Sequence, residues 1–411
     1  MFEGVGMSKL ALVGLYSALC LLVSCQSASV MENKTMVNDG SHTESDAVRV
    51  ATFNVSMDAS NYLPRGTAPD AHSAKRLREE LERGDNPQIK AVASIIQSVR
   101  PDIILLNEFD YTDDYEQAVA LFQEHYLTKP QQGKEAVHYP FVYSAPVNTG
   151  VLFPYDLNGD GTISAPVDTY GFGYYPGQYG MVLLSRYPID KPSVRTFQTF
   201  KWRHMPGALQ PLNPNGSTYY SQRAWNELRL SSKSHWDVPV QINGDTLHLL
   251  ASHPTPPVFD GEEDRNGKRN HDEVRVWVDY ISGDANYLYD DNGAYGGLSE
   301  GEKFVIVGDL NSSTVEGDGH KGAISALLES DRVTDPKPAS HGGAEARANN
   351  PHSRYHTAGW GMRADYVLPS SNLRVLNAGV YWPAQNEPDA SLVVNRAASS
   401  DHRLVWVDIE L

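Results

Sequence analysis

The sequence is nearly without cysteine. Its only two, Cys20 and Cys25, lie close to the N-terminus. The rest of the chain therefore has no internal disulfide and must be held by a core. It also lacks positive charge: 34 Lys and Arg stand against 51 Asp and Glu, a formal net charge of −17. That balance argues against a broad basic face for gripping nucleic acid, although a bound metal ion can supply positive charge locally. No apolar run is long enough to span a bilayer. The run from Leu10 to Leu22 falls short of the roughly 20 residues a membrane helix needs. No solenoid or propeller repeat is visible. What remains is a chain of 411 residues, 40% hydrophobic, enough for one large or two ordinary domains.

The chain opens with a targeting pattern. "SKLALVGLYSALCLLVSC" places one Lys before the apolar run and closes on small residues and Cys25. That order is a signal peptide's, and the ending resembles a bacterial lipobox, with Cys25 as the lipidated residue of a segment spanning 1–25. An ordinary signal peptide cut near Ser27 or Ala28 is the plainer alternative, and Met7 offers a second start. Either way export is expected, to a membrane-anchored position (periplasmic or cell surface) or as a secreted protein. Membrane contact is expected only through the N-terminal lipid anchor. Residues 26–47 are polar and aperiodic and read as a flexible tether.

From Val48 the pattern changes. "VRVATFNV" alternates and is rich in β-branched residues, as a strand does. Asn86-Pro87 supplies an N-cap and a first-turn proline. Ile89, Val92, Ala93, Ile96 and Val99 follow at helical spacing until Pro101. "DIILLNEFD" is a continuous apolar run ending in polar residues, the form of a buried strand. The stretches 180–189, 246–257, 303–313, 363–371 and 402–411 share that form, and 270–283 reads as a helix with Val274, Trp277, Val278 and Ile281 inward. Many strands with few helices between them suggest two packed sheets covered by helices. Long aperiodic segments at 128–178 and 198–237 are rich in Tyr, Pro, Gly and Trp. Their length marks function or disorder, and their aromatic content favours ordered walls around a site.

The strand exits carry polar residues: Asn54, Glu108, His253, Asp309, Asn311, Asp365, Asp401 and His402. One such residue is ordinarily a turn or cap. A set of them on successive strands can converge on one pocket. Carboxylate and amide oxygens suit a hard cation such as Mg²⁺ or Mn²⁺. Two histidines suit phosphate contacts and proton transfer.

The order "TFNV", "PDIILLNEFD", "LLSRYPI", "ASH", "VGDLNS", "RADYVLPS" and "SSDHRLVWVDI" resembles the endonuclease/exonuclease/phosphatase superfamily, in its deoxyribonuclease I-like form, from about Val48 to Leu411. The resemblance implies an α/β fold: a four-layer α/β sandwich, two packed mixed β-sheets flanked by helices. It implies that 48–411 is one catalytic domain cleaving phosphoester bonds with one or two divalent ions, as a phosphodiesterase, phosphatase or nuclease. By the same resemblance Asn54, Glu108 and Asp401 hold metal, and Asp309 orients or deprotonates the attacking water. Asn311 holds a phosphate oxygen, and His253 and His402 flank the scissile phosphate. Asp365 orients His402 through a ring N–H, with an ion pair to Arg363 as its structural alternative. One departure stands out. Deoxyribonuclease I orients its first histidine with a glutamate, whereas the nearby "PGQYGMVLL" offers only Gln178. The expected partner is a phosphoester, with nucleic acid disfavoured by the acidic charge, and a monomer is expected. The alternative is a non-catalytic surface lipoprotein that binds a phosphorylated ligand or calcium on the same fold. Such a protein would be expected to have lost a key residue, yet each is present.

Asp-Leu-Asn occurs twice. The first copy opens "DLNGDGTISAPVD", which spaces Asp156, Asn158 and Asp160 like the start of a Ca²⁺ loop. The twelfth position is Val167 rather than a bidentate Glu, and Asp168 comes one residue late. A loop Ca²⁺ site and an Asx-rich turn are both open readings. Two basic stretches are similarly open. Arg265, Lys268, Arg269, Asn270 and His271 could reach a substrate or form a solvated loop, and Trp202, Arg203 and His204 could stack a ligand or pack as a loop wall.

Overall fold

A computed structural model describes residues 47–283 and 285–411. The signal segment, Cys25 and nearly all of the tether lie outside the described residues. The chain builds most of a first sheet, then a second, and returns to the first. The first receives β1 (Ala47–Met57), β2 (Ile103–Phe109), β3 (Phe141–Tyr143) and β4 (Met181–Ser185). The second is β5 (Arg195–Thr196), β6 (His235–Ile242), β7 (Asp245–Ser252), β8 (Lys303–Asp309) and β9 (Asp365–Pro369). β10 (Arg374–Val380) and β11 (Val405–Glu410) then complete the first, giving the orders β10-β11-β1-β2-β4-β3 and β5-β6-β7-β8-β9. Both sheets are mixed, with β1 parallel to β2 and β7 parallel to β8 among antiparallel pairs.

The period of two explains the layering. Val48 and Val50 of β1 face the second sheet, where they join Val238, Leu249 and Val305 in an inter-sheet core. Ala51 and Phe53 face the other way, against α1 (Arg76–Arg83), α2 (Pro87–Val99) and α3 (Tyr115–Phe122). On the far side, Leu250, Phe304 and Ile306 pack under α4 (Gln222–Glu227), α5 (Arg265–Ser282) and α6 (Gly322–Glu329). Helix, sheet, sheet, helix: this is the expected four-layer α/β sandwich. Among the described residues no helix is long and apolar enough to cross a membrane.

The α2 signals act as read. The Asn86 side chain accepts from Gln88 N and Ile89 N, Pro87 sits in the first turn, and Arg100 ends the helix in a left-handed conformation. Of the elements that differ from expectation, β6 and α5 have a clear physical reason. β6 begins at the end of a stretch with no visible period, because nearly every residue of it is buried and Pro239 interrupts it. α5 starts at Arg265 rather than Asn270, since its first turn is charged and carries no apolar stripe.

Candidate active site

The strand registers gather the polar exits. Asn54 lies opposite Asn107, the neighbour of Glu108, and Asp309 lies opposite Asp365. One glycine brings the second sheet's exits together. Gly308 adopts φ 149°, and a Cβ there would lie 2.0 Å from the carbonyl oxygen of Ser252. Only glycine lets β8 approach the end of β7 this closely, and that approach sets Asp309 beside His253. Glu108 and Asn311 are non-glycine residues in the left-handed region, at φ 58° and 49°, a conformation that the surrounding structure must enforce.

Asp309 is the hub. Its Oδ2 lies 3.4 Å from His253 Nε2 and 3.5 Å from His402 Nε2. The same oxygen accepts from Asn54 Nδ2 at 3.1 Å. Its Oδ1 accepts from the backbone N–H of Asn311 at 3.0 Å. Behind His402, Asp365 takes Nδ1 at 2.9 Å and itself accepts from Thr357 Oγ1 at 2.6 Å. Asp365 thus orients His402, and Arg363 pairs with Asp335 instead. Burial pushes the Asp309 carboxyl up to about 7, against the pull of the nearby His402. Burial alone would lower His402, but Asp365 and Asp309 outweigh it and bring the ring up to about 10. His253 moves the other way: burial, then the positive charges of Lys233 and His402, hold it well below its ordinary value. The two histidines therefore differ in charge at neutral pH, one neutral and one an imidazolium.

The other sequence-predicted residues are also present, with differences in detail. Asn54 turns its amide nitrogen, not its oxygen, toward the site. Nδ2 donates to Glu108 Oε1 at 3.0 Å as well as to Asp309, while Oδ1 accepts from Ser56 N. In this arrangement it braces two carboxylates rather than offering an oxygen to a cation. Asn311 donates from Nδ2 to Pro254 O at 3.2 Å, which fixes its amide at the rim. Gln178 does not serve His253: its Nε2 donates to Asp58, and His253 Nδ1 is buried with no hydrogen-bond partner among the described residues. Trp360, 47% exposed, sets its ring edge-on to His402 at 4.8 Å and forms one wall of the mouth.

Three residues of the site escaped the sequence reading. Asp58 is buried beside Glu108, and burial followed by that neighbouring charge raises its pKa. Its position four residues past Asn54 was the available signal. Arg396 reaches Glu108 and Asp401 from a polar stretch with no pattern of its own. Lys233 precedes β6 and is 5% exposed. Its carbonyl accepts from Asn148 N, but among the described residues its ammonium group makes no hydrogen bond or ion pair, and burial lowers its pKa against the pull of Glu273, Glu108 and Asp309. Its backbone is clamped in place, because the carboxylate of Glu273 accepts both Ser232 N and Thr255 N.

The metal residues can be tested against the donor set. Asp309, Asp365 and His402 offer ligand atoms within 4.8 Å of one another, but His402 already holds Asp365. Glu108 and Asp401 are the hard oxygen donors that face the cleft, and both lean on the positive charge of Arg396. A carboxylate cluster that recruits a guanidinium fits a hard divalent ion.

The remaining stretches singled out in the sequence direct their hydrogen bonds to groups other than Asp309. In the first Asp-Leu-Asn copy, Asp156 accepts from Gly159 N and Gly161 N, and Asp160 accepts from Thr162 N and Asn158 Nδ2. Asp168 is buried and caps Leu157 N and Ser164 N. These oxygens accept from the loop's own amides, the pattern of an Asx-rich turn. Arg269 donates to Leu230 O and Tyr170 O, and Asn270 to Thr255 O and Leu310 O. Trp202 is buried with its indole N–H on Asp272. Arg269, Asn270 and Trp202 are thus packed into the walls, while Arg203 and His204 are exposed.

Similar folds occur in solved structures. An endonuclease/exonuclease/phosphatase from Beutenbergia cavernae is 17% identical, with 89% of this chain and 72% of that one covered at a TM-score of 0.49. The catalytic domain of human Nocturnin is 12% identical, with 89% and 95% covered at 0.44. A Bacteroides vulgatus endonuclease/exonuclease/phosphatase is 13% identical, with 89% and 99% covered at 0.42. No curated protein sequence matches the chain. The family model described as Endonuclease/Exonuclease/phosphatase family matches residues 51–402, which takes in every strand-exit residue from Asn54 to His402, and the chain belongs to that family.

Proposed function

We propose that the protein hydrolyses phosphoester bonds outside the cytoplasm with a divalent ion, Mg²⁺ or Mn²⁺, as a monomer tethered through Cys25. The observation that carries the reading is the Asp309 carboxylate, buried and shared by Asn54, His253 and His402. A base placed between a neutral and a charged histidine can take or orient a water proton on one side while positive charge waits on the other. His402, kept protonated by Asp365, faces the phosphate with Nε2 and can give that proton to the leaving oxygen. Asn311 steadies a phosphate oxygen at the rim. Lys233, buried and without a hydrogen-bonded or ion-paired anion among the described residues, is placed to hold its proton and take up charge as a phosphate arrives, since burial lowers the pKa of the unpaired side chain. Glu108 and Asp401 would hold the ion, whose chemistry is neutralising the phosphate's charge.

The net charge of −17 favours a compact phosphoester over a polynucleotide. Initial rates on bis-p-nitrophenyl phosphate with Mg²⁺, with EDTA, and with His402→Ala test the chemistry. Turnover that survives both the chelator and the substitution overturns it. A panel of plasmid DNA, RNA, inositol phosphates, sphingomyelin and simple phosphoesters then separates the substrate classes, and a preference for DNA or RNA would refute the charge argument.

A further inference from the structure

The carboxylates that face the cleft already share a cation. Arg396 Nη2 lies 3.1 Å from Glu108 Oε2 and 3.7 Å from Asp58 Oδ2. Its Nη1 lies 3.1 and 3.2 Å from the two oxygens of Asp401. The acids come from different elements: Glu108 from the end of β2, Asp58 from just beyond β1, and Asp401 from the approach to β11. Nothing but Arg396 bridges all three among the described residues.

The backbone that carries Arg396 is built differently from its tip. Residues 394–397 are exposed, while Leu392 and Val393 on one side and Ser399 and Ser400 on the other are buried. Ser400 Oγ donates to Asn54 O at 2.7 Å, so the far anchor is tied to the site itself. The segment is thus a short strap pinned at both ends. Its exposed tip can release the side chain without opening the core.

We propose that Arg396 is an exchangeable counter-cation: it neutralises Glu108, Asp401 and Asp58 in the metal-free protein and gives up those oxygens when a divalent ion binds. This rests on the cation site proposed above. A guanidinium donates hydrogen bonds to the same carboxylate lone pairs that a hard ion would coordinate. The two compete for Glu108 Oε2 and for Asp401, and positive charges held this close also repel. Arg396 therefore sets how much ion is needed to fill the site. It also spares the empty site the repulsion of three neighbouring carboxylates.

The test is a Mn²⁺ titration of metal-stripped full chain, read by the electron paramagnetic resonance of free Mn²⁺, alongside thermal unfolding in EDTA. Arg396→Gln is expected to bind Mn²⁺ about 10-fold tighter than the wild type, with Arg396→Lys between them. In EDTA, Arg396→Gln is expected to unfold at a lower temperature than the wild type and to recover with Mn²⁺. Unchanged or weaker Mn²⁺ binding in Arg396→Gln, with the wild type binding normally, overturns the exchange and leaves the cation site standing. Absence of Mn²⁺ binding in both proteins overturns the cation site and the exchange together. Because Arg396 sits on an exposed tip, Arg396→Gln is expected to fold, and circular dichroism in Mn²⁺ checks it.

Discussion

The two copies of Asp-Leu-Asn compare the same tripeptide in two surroundings. Asp156-Leu157-Asn158 lies on an exposed loop whose own amides donate to the Asp156 carboxylate. Asp309-Leu310-Asn311 begins where β8 ends, with the aspartate 1% exposed and its carboxyl pushed up to about 7 by burial. The first copy is held by local hydrogen bonds. The second is held by residues from other strands, and its unsatisfied basicity is what chemistry can use. Reactivity here comes from tertiary surroundings rather than from the tripeptide.

The largest contrast is catalytic. Asp309→Asn is expected to lower turnover of bis-p-nitrophenyl phosphate by about 10³-fold, while Asp156→Asn stays within about twofold. Equal losses would break the comparison. The glycines beside each copy sharpen it on stability. Gly308→Ala would drive a Cβ into Ser252 O and is expected to cost about 3 kcal/mol in urea unfolding. Gly161, at φ 87°, has nothing within 4 Å of a Cβ, so Gly161→Ala is expected to cost about 1 kcal/mol from backbone conformation alone. Lys233→Met, which keeps the buried stem and removes the charge, is expected to weaken inhibition by inorganic phosphate about 10-fold. Unchanged inhibition would make the ammonium structural.

The last expected effect is a slope. In the metal-free protein Asp309 keeps its proton up to about 7, whereas a free carboxyl ionises near 3.8. Between these values the folded state binds the extra proton. Its stabilisation is thus full below 3.8 and is lost as pH rises through about 7. Unfolding free energies of wild type and Asp309→Asn in EDTA across that window measure it. The wild type should lose more stability with rising pH, and parallel profiles would contradict a raised Asp309.

Much of the architecture was legible in the sequence. The apolar runs ending in polar residues identified β1, β2, β4, β7, β8, β9 and β11, because burial on both faces leaves few other readings for such short segments. The Asn86-Pro87 start of α2 was legible for a local reason, a side chain that caps its own helix. β6 was not, since its buried His235, Asp237 and Pro239 break any apolar pattern and are tolerated only through tertiary partners, such as Tyr280 on Asp237. Lys233 and Arg396 were invisible, and Asp58 was overlooked, for the same kind of reason. A lysine and an arginine in polar surroundings carry no signal until the fold shows what they face, and an acid near Asn54 carries only its spacing.

By itself, then, the sequence determined which side chains could do chemistry and that strands would carry them to a common edge. Polar strand ends are a consequence of local composition and period. The tertiary structure alone decided which of them became reactive. It buried Asp309 between a neutral and a charged histidine and left Asp156 among its own amides. It turned the amide nitrogen of Asn54 toward the site and bound three carboxylates to one arginine. Each of these depends on desolvation and on groups distant in the chain, and neither is written in the spacing of residues.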